Sequence, residues 1–171
     1  MKEVQRKTLL ELISNCKRSD RELAKALDIS QPTVTRVRTW LEKNHFIREY
    51  AAIPEFSNIG LELVAFTFFK IRSGATKGAV EEIRKKAEAF FNTHPNVILA
   101  LRGEGMGCDG ILVSLHKNFA SFTQFIRELK TETVNTEVVG NFLASLTNTD
   151  QYRSLTFKTL KEYLAKDEEQ I

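Results

Sequence analysis

The polar residues of SQPTVTRVRTWLE, Ser30 to Glu42, form the densest set in this chain that could engage a ligand. Wound at 3.6 residues per turn, Pro32, Thr35, Arg36 and Thr39 share one side, flanked by Gln31, Thr33 and Arg38. Hydroxyl, amide and guanidinium groups on one helix face suit phosphates and base edges better than plain solvent. A second set is RGEGMGCDG, Arg102 to Gly110, which holds four of the chain's eight glycines. Glycine lets backbone amides approach a carboxylate closely. No Lys-Ser/Thr follows them, so this is no P-loop. His45, His94 and His116 are scattered and lack a carboxylate at helical spacing, so no metal-ligand cluster is expected. Neither a Gly-x-Ser-x-Gly elbow nor paired carboxylates in a predicted cleft stand out.

The first set needs a short, firmly started helix. Ser30 is suited to N-cap it, and Pro32 fits its first turn, where a missing N–H costs little. Val34, Val37 and Leu41 recur at i, i+3 and i+7 as a buried stripe. Upstream, Lys2–Asn15 reads as a helix with Leu9, Leu12 and Ile13 on one face. Ser19 with Glu22 forms a capping box that starts a second helix through Leu27. Leu23, Ala24 and Leu27 make its inner face, and Asp28 and Ile29 form a tight turn into the third helix. Two short helices joined this way are a helix-turn-helix. Downstream, Phe46, Ile47, Tyr50 and Ile53 predict a short β-ribbon, completing a winged helix over residues 1–53.

Charge follows the same division. Up to Ile53, eleven Lys and Arg face seven Asp and Glu; beyond it, fourteen face fifteen. The basic excess therefore sits where an acidic partner is expected. Cys16 and Cys108 form no ligand-spaced pair, which argues against a disulfide framework or a zinc site. The opening MKEVQRKT has no apolar signal region, and Leu63–Ile71 is too short and too polar to span a bilayer. The expected compartment is the cytoplasm, with no membrane partner and no cofactor.

Pro54 to Gly60, PEFSNIG, reads as a linker. Leu61–Arg72 predicts a strand with Val64, Phe66 and Phe68 on one face, followed by a loop over Ser73–Lys77. Gly78–Asn92 predicts a helix with Val80, Ile83, Ala87, Phe90 and Phe91 inward. Strands at Val97–Leu101 and Gly110–His116 flank the glycine-dense connection, and Asn118 caps a helix reaching Lys130. Val134–Leu146 predicts a fourth strand, with Val134, Val138, Phe142 and Leu146 sharing a face. The order β-α-β-β-α-β is ferredoxin-like and spans 61–148. Both helices would cover one face of its sheet. Phe66, Phe68, Leu99, Val138 and Phe142 cannot all lie beneath them, which predicts a homodimer burying the surplus. Residues 149–171 predict an amphipathic helix over Tyr152–Lys166 and an acidic tail, Asp167–Gln170. The expected fold class is α+β: a winged helix-turn-helix, a ferredoxin-like domain and a C-terminal helix.

ELAKALDIS, then a capped helix ending RVRTWLE, then NHFIREYAAI, resembles the Lrp/AsnC feast-or-famine transcription regulators. With the βαββαβ unit behind it, the resemblance runs from Leu9 to about Leu146. It implies a sequence-specific regulator of double-stranded DNA, dimeric or higher. Carried onto this chain, recognition falls on Gln31, Pro32, Thr33, Thr35 and Arg36, with Arg36 bidentate to guanine and Gln31 paired to adenine. Ser30, Arg38 and Lys43 would hold phosphates. The family's effector loop corresponds to Arg102, Gly103, Gly105, Met106, Gly107 and Asp109, implying a small effector such as an amino acid at a subunit interface. The loop is longer by about a residue here, and Gly110 stands where an aromatic is common. Siroheme decarboxylases share a similar scaffold, and a tetrapyrrole enzyme of that kind would draw on His94, Arg102 and His116. A ligand-binding adaptor without DNA affinity is the remaining alternative.

Overall fold

A computed structural model of the 171-residue chain describes residues 1–71, 77–133, 136–147 and 151–166. The chain divides into two compact units, Met1–Ile53 with Arg153–Ile171, and Pro54–Tyr152.

The first unit opens with three helices, α1 (Glu3–Ser14), α2 (Asp20–Leu27) and α3 (Gln31–Lys43). Ser19 Oγ accepts the Glu22 N–H while the Glu22 carboxylate accepts the Ser19 N–H, a reciprocal box that starts α2. That hydrogen bonding from Ser19 holds the Glu22 carboxyl below its ordinary range. Asp28 ends α2 in the left-handed conformation at φ 52°, turning the chain through Ile29 into the next cap. Leu12, Leu23, Ala24, Val34, Val37 and Leu41 pack into one core, flanked by Val4, Leu9, Ile29, Trp40 and Ile47. Leu23, Val34 and Leu41 have no exposed surface.

The expected β-ribbon after α3 is absent: no strand forms over residues 44–56. His45 takes a positive φ of 60°, and the Phe46 and Ile47 N–H groups both turn back to the Leu41 carbonyl. Side chains hold the segment in place of a ladder. Phe46 stacks on Trp40 with centroids 5.1 Å apart, and Tyr50 donates to Glu42 at 2.9 Å. Burial, then the Glu42 hydrogen bond, raises the Tyr50 hydroxyl above its ordinary value.

The C-terminal helix, α6, is shorter than expected, covering Leu160–Lys166 rather than starting at Tyr152. It packs on α1. Lys161 pairs with Glu11 at 2.6 Å, and the Arg6 guanidinium donates to the Leu164 carbonyl. Glu11 also holds Arg18, so one carboxylate ties α6 to the loop before α2. The expected acidic tail lies outside the described residues.

The second unit is β1 (Leu63–Ile71), α4 (Lys77–Thr93), β2 (Val97–Gly105), β3 (Cys108–His116), α5 (Phe119–Glu132) and β4 (Thr136–Ser145). The sheet order is β2-β3-β1-β4 and every neighbouring pair is antiparallel, the ferredoxin-like arrangement. Phe90, Leu112, Phe125 and Leu129 form its core with Phe69, Phe91, Val97, Ile126 and Val138. Arg72, the predicted loop at 73–76, Val134 and the side chain of Val80 lie outside the described residues.

The register corrects one grouping. Phe68 pairs with Gly140 but Phe69 pairs with Val138, so Val139 is an extra residue in β4. A side-chain period of two cannot survive an inserted residue, so Val138 and Phe142 point to opposite faces. Val138 joins the core; Phe142 is 61% exposed. On that second face the register sets two rows across the sheet: Leu99, Val113, Phe66 and Phe142, then Leu101, Ile111, Phe68 and Gly140.

Candidate nucleic-acid interface

The front of α3 is built as its spacing required. Ser30 is extended at φ −72°, ψ 144°, and its Oγ accepts the Thr33 N–H at 3.4 Å and lies 2.8 Å from Thr33 Oγ1. With Val34, Val37 and Leu41 buried, Gln31, Pro32, Thr35, Arg36 and Thr39 are exposed, and Thr33 partly so. Lys43 is exposed at the far end. Among the described residues, Arg36 and Lys43 have no ion-pair partner, so both cations are available to an anionic ligand.

Arg38, expected among the phosphate contacts, is different in that its guanidinium already has partners within the protein. Its Nε lies 2.8 Å from Asp20 Oδ1, its Nη2 donates to the Arg18 carbonyl at 2.9 Å, and Tyr50 lies beneath its guanidinium at 5.8 Å. Asp20 Oδ2 in turn accepts the Thr35 hydroxyl at 2.6 Å. Asp20, Thr35 and Arg38 therefore bind α2 to α3. No spacing rule joins residues 15 and 18 apart on different helices, so this clasp had no signal in the sequence.

The glycine-dense stretch is not a loop. β2 and β3 continue through it to a two-residue hairpin at Met106 and Gly107, with φ 53° and 72°. Positive φ at both central residues is the type I′ geometry that matches strand twist. Arg102 pairs with Gly110 and Gly105 with Cys108 across the ladder. Asp109 is already engaged, since its Oδ2 accepts the Ile71 N–H at 2.7 Å. Arg102, Gly103, Gly105, Met106, Gly107 and Asp109 thus share one hairpin. Gly110 has a structural reason: a Cβ would lie 2.2 Å from Phe69 Cζ and 2.5 Å from the Leu101 carbonyl oxygen.

His94 and His116 do come together, which sequence spacing did not indicate. Both rings lie against Phe125 at 5.8 and 5.2 Å, and both line a cleft of about 360 Å³ with Asn96, Lys117, Gln124 and Glu128. Arg102 is not among its lining residues. His94 Nε2 meets Glu128 at 2.9 Å while its Nδ1 meets the Phe90 carbonyl; His116 Nε2 meets Ser114 Oγ at 2.8 Å. The His94 hydrogen bond, then one from Gln124, holds the Glu128 carboxyl below its ordinary value. Burial pushes His116 down from 6.5. Both ring nitrogens of His94 are therefore engaged within the protein, and His116 is engaged through Nε2. No group of three or more His, Cys, Asp or Glu positioned for a metal occurs among the described residues. No described helix is long and apolar enough to cross a membrane.

Residues 1–48 match a family model described as winged helix-turn-helix DNA-binding. No curated protein matches the chain by sequence. Among solved structures, the chain is similar to a transcriptional regulator of Neisseria meningitidis in complex with L-Met, with a TM-score of 0.71 and 20% identity over 94% of this chain and 99% of the other. An AsnC family transcriptional regulator from Agrobacterium tumefaciens superposes with a TM-score of 0.69 at 19% identity, covering 91% and 95%. LrpC of B. subtilis gives 0.67 at 16%, covering 90% and 99%. The chain therefore has a helix-turn-helix that matches the winged type, its wing segment without strands, followed by a ferredoxin-like unit, the fold of Lrp/AsnC-type transcriptional regulators.

Proposed function

We propose that the chain is a cytoplasmic transcriptional regulator of the Lrp/AsnC type that binds double-stranded DNA sequence-specifically, as a dimer, and performs no chemistry. The observation that carries this is the front of α3, where Gln31, Thr35, Arg36 and Thr39 are exposed beside the stripe that anchors the helix. The N-terminal half of such a helix enters the major groove. Arg36 is the bidentate guanine reader, Gln31 the adenine reader, and Ser30 and Lys43 hold phosphates. Against an enzyme stands the internal engagement of His94 and His116.

The two apolar rows on the uncovered sheet face support dimerisation, since a second copy buries both at once. A small effector at the β2–β3 hairpin belongs to this reading, supported by the Arg102 side chain, which has no ion-pair partner among the described residues, and by Met106, 87% exposed at the tip. The Neisseria regulator's L-Met makes amino acids the first compounds to try.

Selection of bound fragments from random duplex DNA, with and without an amino-acid mixture, tests the reading. A regulator enriches one motif with paired half-sites, and log affinity falls with log salt by about 0.9 per phosphate contacted. Arg36→Ala should weaken the selected site by about 1–3 kcal/mol and relax one base position. Equal weakening on every sequence would instead make Arg36 a phosphate contact, and no enrichment at all would end the DNA-binding reading.

A further inference from the structure

We propose that Thr35, held by Asp20, reads an exocyclic amino group in the major groove and rejects a keto group at the same place, an inference that rests on the DNA-binding reading above. A threonine hydroxyl has one hydrogen to donate and lone pairs to accept with, so a free one tolerates either partner. Thr35 is not free. Its Oγ1 is 2.6 Å from Asp20 Oδ2 and 3.2 Å from the Gln31 carbonyl oxygen. A carboxylate and a carbonyl only accept, so the hydrogen turns inward whichever of them takes it. What remains for the groove is lone pairs.

Asp20 keeps this orientation because it is itself fixed. It is the first residue of α2, where a carboxylate is favoured by the helix dipole, and its other oxygen is 2.8 Å from Arg38 Nε. The Asp20 and Arg38 side chains are only 22% and 21% exposed. Thr39 follows the same rule one turn on, donating to the Thr35 carbonyl at 2.9 Å. The front of α3 therefore alternates by function: Arg36 can only donate, while Thr35 and Thr39 present acceptors. In the major groove the donors are adenine N6 and cytosine N4; guanine O6 and thymine O4 accept. Thr35 pairs with the former. Asp20 is a positioning residue that touches no base, and Arg38 is spent on Asp20 and not on phosphate.

The test begins with the duplex selected by the full-length protein and compares wild type with Thr35→Val. The base pair whose preference collapses in the variant is the one Thr35 reads. At that pair, deleting the amino group (adenine to purine, or cytosine to pyrimidin-2-one) should weaken wild type about fivefold, the size of one neutral hydrogen bond. Thr35→Val should be indifferent to the same change, and Thr35→Ser, which restores the hydroxyl, should regain sensitivity. Deleting the keto group of the partner base should affect none of them. Asp20→Ala leaves the Thr35 hydroxyl only the longer bond to the Gln31 carbonyl and frees Arg38, so the amino preference shrinks while the salt slope steepens by about 0.9 as Arg38 gains a phosphate.

Sensitivity to the keto deletion in place of the amino deletion overturns the proposal, as does a Thr35→Val protein with an unchanged selected site. An unaltered amino preference in Asp20→Ala removes Asp20 from it. Each variant is first checked by circular dichroism. Should Thr35→Val fail to fold, amino and keto deletions scanned along the wild-type site against Thr35→Ser and Asp20→Ala give the same decision. Those results leave the general reading standing, whereas absence of any selected duplex removes both.

Discussion

Replacing Gly110 by alanine should damage the second unit by a mechanism that its geometry specifies. The added methyl group would sit 2.2 Å from Phe69 Cζ and 2.5 Å from the Leu101 carbonyl oxygen. Contacts this short cannot persist, so something must move. The Phe69 ring is packed against the core of Phe90, Leu112, Phe125 and Leu129, which limits its retreat. The Leu101 oxygen belongs to β2, and shifting it disturbs the pairing of Leu101 with Ile111 and of Arg102 with Gly110. Forcing an extra carbon into a packed site costs about 1–3 kcal/mol. For a unit of this size that corresponds to roughly 5–20 °C in its melting temperature. Thermal unfolding by circular dichroism reads it directly, and a second substitution apportions it. Phe69→Leu in the Gly110→Ala background relieves the ring contact but not the carbonyl contact, so only part of the loss should return. A melting temperature within about 1 °C of wild type would refute the packing argument. Full rescue by Phe69→Leu would show that the β2 backbone yields freely.

Ser30→Ala removes the side-chain acceptor that starts α3 and should cost about 1 kcal/mol of stability, read by urea unfolding followed at Trp40. An unchanged midpoint would mean that the hydroxyl contributes nothing to the cap. Phe142→Asp places a charge within the uncovered apolar rows and should convert the dimer to monomer in light scattering at micromolar concentration; a monomeric wild type would end the dimer reading at once. His116 is held below 6.5 by burial, so the unfolded chain binds its proton more readily than the folded one. Its contribution is complete above 6.5 and is lost as pH falls from there through the lower folded value. Unfolding midpoints should therefore decline on acidification below about 6.5, less steeply in His116→Gln. Parallel declines would place the titration elsewhere.

What could be read from the chain was whatever acts over three or four residues. The Ser19–Glu22 box, the Ser30 cap and the Val34, Val37 and Leu41 stripe are local patterns, and all three form. The strand-helix order of the second unit followed from alternation and length in the same way. Features that depend on register escaped. Nothing local marks Val139 as an inserted residue, yet it decides which face Phe142 occupies. The run of glycines reads as a connection between strands ending at Leu101 and starting at Gly110, whereas both strands run on through it to a hairpin turn at Met106–Gly107, with a close approach at Gly110. The wing segment carries no β-ribbon because a ribbon needs a second strand, and Phe46 and Ile47 spend their amides on Leu41. On the interface itself, exposure of Gln31 and Arg36 could be anticipated from helical winding. The commitment of Arg38 to Asp20 could not, since it joins two helices across a turn.

The docking of α6 on α1 has a consequence for synthesis. The chain leaves the first unit at Ile53 and returns to it only at Arg153, after the whole second unit has been made. At about 5–20 residues per second, α1 waits on the order of 5–20 s for the helix whose Lys161 pairs with Glu11. During that interval the three-helix head must stand on the core of Leu12, Leu23, Val34 and Leu41 alone. Nascent head and finished head are then two different objects, and the carboxylate of Glu11, facing Arg18 before Lys161 arrives, changes its company last.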